Sequence, residues 1–345
     1  MHKREATRRI DGTTDDAKRR KVVDDINPAL QAIINNLEDY DLIEDDDRID
    51  AVNTAVVGLT KWINKEDESP QANKIEASER ILNCYLAQLE GKTDVTLIKL
   101  RLSGLELETL PAEIGNLTNM QCLHLLNNQL RELPVEIGNL TNLVILDFKK
   151  NKLKTLPVEI GKLTNLRMLS LDDNQLTSVE GIEQLTNLGG LSLANNQLTS
   201  VEGVGQLTNL TYLSLSNNQL TSVEGVEKLT NLTGLFLSNN QLTSVEGVGK
   251  LTNLQGLYLD NNYLPETESG KLPEHMIGQG VGTQKGVEEL KKEFKKLNNQ
   301  IRAVFGYKFI KNREIGKRQS CQSDLKAVLE ERYKNFDQRL KGCGF

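Results

Sequence analysis

The chain has 345 residues, a net charge of −6, 38% apolar residues and only 4% aromatic residues. The length allows more than one domain, and any core must be built mainly from leucine. No apolar run approaches the roughly 18 residues that a helix needs to cross a bilayer. Charge is unevenly spread, at +4 over residues 1–21, −11 over residues 22–90 and +9 over residues 291–341.

Residues 1–25 are expected to be a disordered basic tail, because MHKREATRRIDGTTDDAKRRK is polar throughout and lacks a signal peptide. KRRK at 18–21, with Arg8 and Arg9 upstream, resembles a nuclear import signal, although short basic runs are also common in flexible tails.

Residues 26–91 predict an acidic helical cap domain of three helices. Asn27-Pro28 supplies a cap followed by proline at the first helical position, and Leu30, Ile33, Ile34 and Leu37 come after it at helical spacing. Ile49, Val52, Val56, Leu59 and Ile63 form a second stripe beside Trp62. Ser69-Pro70 repeats the cap signal before a third stripe of Ile75, Ile81, Leu82, Tyr85, Leu86 and Leu89, ending at Gly91. Two roles fit this segment: a cover for the exposed end of the repeat array beyond residue 91, or an acidic docking module centred on EDYDLIEDDD at 38–47.

Residues 92–270 repeat one phrase. Copies begin at Leu97, Met120, Leu143, Leu166, Leu188, Leu210, Leu232 and Leu254, spaced by 23 residues at first and by 22 later. Each opens with a short strand in which alternate leucines, such as Leu213 and Leu215, point one way and Tyr212, Ser214 and Ser216 the other. One copy cannot bury its leucines alone, so the copies are expected to stack into a solenoid with a parallel sheet and a continuous core. Asparagines at 128, 151, 174, 196, 218, 240 and 262 mark the inward turn, where an amide can satisfy buried backbone groups. The first copy has Leu105 there, as befits a terminal repeat.

After the strand, early copies continue LPAEIGNL, LPVEIGNL and LPVEIGKL, and later ones VEGIEQL, VEGVGQL, VEGVEKL and VEGVGKL. These are expected to be irregular or short 3₁₀ or α connections, with a change of curvature from about residue 166. Residues 271–286 are a glycine-rich linker without the GxxxxGK[ST] spacing of a phosphate loop. Residues 287–345 form a basic helical C-terminal region, with stripes at Val287, Leu290, Phe294, Leu297 and Ile301 and at Leu325, Val328, Leu329, Phe336 and Leu340. Between the stripes, YKFIKNREIGKR reads either as a solvated face or as a surface for phosphate or membrane.

The phrase L-x-x-L-x-L-x-x-N-x-L resembles the leucine-rich repeat. The shorter copies resemble the repeats of bacterial internalins and of a regulatory subunit of protein phosphatase 1. The LPxEIGxL copies are similar to intracellular Ras-binding repeat proteins. Near-identical LTNL and NNQLTS phrases resemble effectors that intracellular bacteria deliver into host cells. The resemblance implies an α/β leucine-rich-repeat solenoid with a parallel concave sheet, an N-terminal helical cap and a C-terminal helical segment.

Some delivered effectors end in a cysteine-based ubiquitin ligase. Cys321-Gln322-Ser323-Asp324 does not match its cysteine-x-aspartate motif, and His2, His124 and His275 are too dispersed for a triad or a zinc site. The expectation is therefore a non-enzymatic scaffold with no cofactor, no metal and no small-molecule substrate, acting as a monomer. Scattered Cys84, Cys122, Cys321 and Cys343 favour a reducing, intracellular compartment, which for a delivered effector is host cytoplasm or nucleus. A protein partner is expected on the concave face. Tyr212, Phe236 and Tyr258, with Tyr263 nearby, form one candidate patch, and their glycine neighbours should leave the rings uncovered. Cys122, Ile145 and Met168, flanked by Arg101, Lys149 and Lys150, form another. Ordinary strand-face decoration accounts equally for either patch. The alternatives are a phosphatase regulator and a nucleic-acid or anionic-membrane binder through the basic C-terminal helices.

Overall fold

A computed structural model describes residues 26–35, 46–91 and 98–265 of the chain. The basic tail, most of the acidic 38–47 stretch, the linker 271–286 and the C-terminal region 287–345 lie outside the described residues.

Three-residue strands run from β1 (Lys99–Arg101) through β2 (Cys122–His124), β3 (Ile145–Asp147), β4 (Met168–Ser170), β5 (Gly190–Ser192), β6 (Tyr212–Ser214) and β7 (Gly234–Phe236) to β8 (Gly256–Tyr258). They form one parallel sheet in chain order, each inner strand paired with the copy before and after it. Register keeps step with the repeat, so Leu191 faces Leu213, Leu213 faces Leu235 and Leu235 faces Leu257. These central leucines point into the stack, where Leu191, Leu213 and Leu235 are fully buried. In β8, Leu257 is half-buried. Each buried leucine contributes roughly 1.5–3 kcal/mol relative to exposure, which is why copies too small to fold alone hold together as a stack.

The asparagines join successive coils. Asn218 Oδ1 accepts from Leu198 N–H of the preceding coil, while its Nδ2 donates to Leu193 O of that coil and Leu215 O of its own. Asn196, Asn240 and Asn262 repeat the pattern at 2.9–3.1 Å. A second row lies outside the core, where Asn187, Asn209, Asn231 and Asn253 each donate to a threonine carbonyl of the preceding copy. Before each core asparagine the backbone turns left-handed, at φ between 56° and 59° for Asn127, Lys150, Asp173, Asn195, Asn217, Asn239 and Asn261. Asparagine tolerates that conformation better than most residues, which explains the doubled asparagines of the later copies. The first copy uses Gly104 there, at φ 74°.

Convex connections are 3₁₀ turns of two kinds. Proline precedes the five-residue turns Ala112–Asn116, Val135–Asn139 and Val158–Lys162, with φ of −72°, −65° and −67°. Glycine precedes the three-residue turns Ile182–Gln184, Val204–Gln206, Val226–Lys228 and Val248–Lys250, with φ between 87° and 93°. The two endings therefore enter the same kind of turn from opposite backbone regions. The turns pack too closely for side chains at one position: a Cβ on Gly138 would lie 2.7 Å from Glu159 O.

At the other end, α1 (Pro28–Asn35), α2 (Asp46–Ile63) and α3 (Gln71–Leu89) share one continuous core with the first coil. Asn27 Oδ1 accepts Ala29 N–H, so Asn27 and Pro28 start α1 in their expected roles. Ser69 does not cap α3. Pro70 stands at that position, and the Ser69 hydroxyl instead accepts Glu108 N–H of the first coil at 2.7 Å. Cap side chains occupy the backbone groups that a preceding coil would otherwise meet: Asn73 donates to Leu105 O, Arg80 to Arg101 O and Gln88 to Asn116 O. Trp62 Nε1–H donates to Thr109 Oγ1 at 2.9 Å.

Beside that junction, the fully buried Lys74 ammonium donates to Lys65 O at 2.7 Å and pairs with Asp67 at 2.9 Å. Burial pushes the Asp67 carboxyl up, but Lys74 and the Ser69 hydrogen bonds outweigh it and hold it below its ordinary value. Glu108 is held low by Glu68 N–H and by the Arg131 guanidinium, against the opposing effect of burial.

Both kinds of tie can be tested through stability. Asn218→Ala strips a donor and an acceptor from buried backbone, so urea denaturation should show a loss of about 3 kcal/mol; a loss under about 1 kcal/mol would rule out the ladder as a main tie. Both depressed carboxylates stabilise the fold above their unfolded pKa and lose that contribution as they protonate. Thermal stability should thus fall as pH drops below about 4, and the fall should be shallower in Glu108→Gln. Identical acid profiles would contradict the role given to Glu108.

Candidate protein-binding surface

Strand alternation and register place two rows of strand residues on the concave face. One runs Lys99, Cys122, Ile145, Met168, Gly190, Tyr212, Gly234 and Gly256, and the next begins at Arg101 and ends Ser192, Ser214, Phe236 and Tyr258. Three of the candidate aromatic residues meet. Tyr212 and Phe236 have ring centroids 5.1 Å apart at 44°, and Phe236 and Tyr258 stack at 4.6 Å and 7°. Offset-stacked and tilted pairs at such distances add roughly 0.5–1.5 kcal/mol beyond the area they bury.

Glycine has a further part beyond the one expected: the rings lean back over it. A Cβ on Gly234 would lie 3.2 Å from Phe236 Cε2 and 3.6 Å from Tyr212 Cδ2, and one on Gly256 would lie 3.4 Å from Tyr258 Cε2. Gly234 and Gly256 thus provide the floor on which Phe236 and Tyr258 lie. Ser214, opposite Phe236, is buried. Outer surfaces of the group remain open, with Tyr212 42% and Tyr258 49% exposed. The result is a pre-ordered apolar ridge across three strands. Tyr263 stands elsewhere, after Asn262, in the position that Gln219 and Gln241 hold in neighbouring copies. Its backbone N–H bonds Leu242 O, and it belongs to the turn rather than to a strand.

The second patch is narrower than the sequence implied. Cys122 is buried, so only half-buried Ile145 and Met168, 57% exposed, offer apolar surface. Gly190 beside Met168 leaves one flank of that side chain open, and Arg101, in the adjoining row, is exposed. Between the two patches the face is polar and tied down. Asp172 accepts from the Ser192 hydroxyl and Ala194 N–H, and Asp173 accepts from Asn195.

A second exposed apolar pair, Val135 (53%) and Val158 (59%), stands at the start of two convex turns and was not foreseen from the sequence. The signal was present: both occupy the x of LPxEIG, next to a proline that fixes the turn's entry. Equally unforeseen are the shallow polar grooves between successive TSVEG segments, lined by residues such as Thr221, Ser222, Glu224, Ser244 and Glu246.

Among the described residues no group of three or more His, Cys, Asp or Glu side chains is placed to hold a metal. No described helix is long and apolar enough to cross a membrane. Cys84 and Cys122 carry free thiols, and burial pushes the Cys84 thiol up, so it stays protonated.

A family model described as "Leucine-rich repeat region" matches residues 83–202, and one described as "Leucine Rich repeats (2 copies)" matches 186–228 and 230–270. No curated protein matches. Among solved structures, the chain is similar to a leucine-rich-repeat protein of Leptospira interrogans, with 38% identity over 48% of this chain and a TM-score of 0.44. It spans about half (49%) of that protein. It is also similar to internalin C2 of Listeria monocytogenes, with 25% identity over 59% of this chain and 92% of that one, at a TM-score of 0.47.

If the rings rest on glycine, the Gly234 α-protons should show upfield ring-current shifts that disappear in Phe236→Leu. Unchanged Gly234 resonances in that variant would mean the ridge is not formed in solution.

Proposed function

Because the chain belongs to the leucine-rich-repeat family, whose curved sheets generally serve as protein-interaction scaffolds, we propose that it is a non-enzymatic scaffold gripping a protein partner on its concave face. The observation that carries this reading is the ridge of Tyr212, Phe236 and Tyr258. Aromatic side chains already held in place lose little freedom on binding and offer large apolar area, the properties of interface anchors. Arg101, Ile145 and Met168 would form a second point of attachment across the polar middle, giving the partner one orientation. Tyr263 is assigned to the rim of the first point rather than to its centre.

The LTNL and NNQLTS phrases support a place among bacterial effectors, with a host protein as the partner. Free thiols at Cys84 and Cys122 suit work in a reducing compartment.

The test is affinity capture with the full chain against the Phe236→Ala, Tyr258→Ala double variant, with unfolding curves to verify an intact fold. Capture should tolerate salt and weaken by about 30-fold or more in the variant, as for loss of an interface hot spot. Retained capture by a folded double variant would contradict the assignment. So would capture that persists without the repeats and fades with salt.

A further inference from the structure

Met168 and Tyr212 are exposed apolar side chains of one concave row, and Gly190 stands between them, preceded by Gly189. Nothing in the backbone requires glycine at either position. Neither has a positive φ. Their N–H groups bond Arg167 O just as those of Thr211 and Tyr212 bond Gly189 O one copy later, so larger residues hold the same places with the same bonds. Chain neighbours aside, a Cβ on Gly189 would meet only Arg167 O, at 3.7 Å, and one on Gly190 only Met168 Cγ, at 3.9 Å. Those are ordinary contacts. Gly234 and Gly256 differ, because the rings of Phe236 and Tyr258 lie on them, whereas the fifth copy has Ser192 in place of a ring. Glycine weakens a strand, and one kept there without a backbone need marks a place where another molecule comes close.

We infer that Gly189 and Gly190 floor a notch that receives one aromatic side chain of the protein partner, with a carboxylate beside it in the partner's chain. This deepens the concave-face reading and rests on it. The walls are the Met168 thioether and the Tyr212 ring, and both favour an aromatic group between them. Their backbones stand about 9.5 Å apart, two strand spacings. A ring with carbon contacts on both faces takes about 7–8 Å of that gap. The Tyr212 ring pairs with Phe236 at 5.1 Å, on the far side from Gly190, and has no atom within 4 Å of a Cβ built there. Charge sets the direction of entry. Exposed Arg167 stands at the Gly189 end and, among the described residues, makes no ion pair. At the other end lies Asp172, bonded to Ser192 and Ala194 N–H. A partner carboxylate is therefore drawn to the Arg167 end and repelled from the Asp172 end.

The test selects a phage-displayed library of random 12-residue peptides (about one strand pair in length) on the full chain, then measures the recovered peptide against folded variants. That peptide should carry an aromatic residue with Asp or Glu beside it. Gly190→Ile, which copies Ile145, should keep or raise the unfolding midpoint yet weaken the peptide by about 30-fold or more, as should alanine at the peptide's aromatic position. Arg167→Thr, which copies Thr211 and Thr233, should weaken it several-fold and flatten its salt dependence. The Met168 methyl resonance should move upfield on binding. If Gly190→Ile lowers the midpoint, Gly190→Ala is read by the same criterion. Tight binding by the Gly190 variant, with loss in Phe236→Ala plus Tyr258→Ala, would overturn the notch and leave the concave face standing. Binding kept by both would contradict both readings. A recovered peptide without an aromatic residue, or an unmoved Met168 methyl, would also overturn the notch.

Discussion

Every coil of this protein meets its neighbour through one buried amide, and the rest of the molecule accommodates that bond. The strand must end where the asparagine can reach both a carbonyl of its own coil, such as Leu215 O, and one of the preceding coil, such as Leu193 O. That requirement forces the residue before it into the left-handed region and keeps the strands in register, through copies of 23 residues and of 22 alike. Losing such a bond costs more than making it gains, since the backbone groups it serves have no water to turn to. The asparagines are therefore a constraint on geometry as much as a source of stability.

Once the concave side is fixed, the convex side is free to vary. Proline and glycine are opposite solutions to entering a 3₁₀ turn, one by a restricted negative φ and the other by a positive φ denied to most residues. The chain changes from one to the other after Lys162 without breaking the sheet. The concave face can therefore vary independently of the back of the molecule.

Much of this was legible in the sequence because both signals are periodic. The leucine spacing and the single asparagine at each turn predicted the parallel sheet, and apolar stripes predicted α1, α2 and α3. What periodicity could not convey was the contact of one element with another. Ser69 has the look of a helix cap, yet its hydroxyl serves Glu108 in the first coil, a tertiary demand that local sequence does not encode. Cys122 sits in an outward-facing row and is still buried, because row position sets direction and not cover. The concave rows placed Phe236 and Tyr258 beside glycines correctly, but whether rings stand or lie on those glycines depends on rotamers chosen by packing. Tyr263 lies near the rings in sequence, and the turn after Asn262 places its backbone off the strand, bonded to Leu242 O.

The solenoid stands on its buried amides, so their hydrogens give the most direct measure. NMR exchange of the side-chain NH₂ groups of Asn196, Asn218, Asn240 and Asn262 should be slow, approaching the rate of global unfolding, while exposed Asn217 next door exchanges freely. Core asparagines exchanging as fast as Asn217 would mean that the coils are not tied through them, and the fixed concave face would lose its foundation.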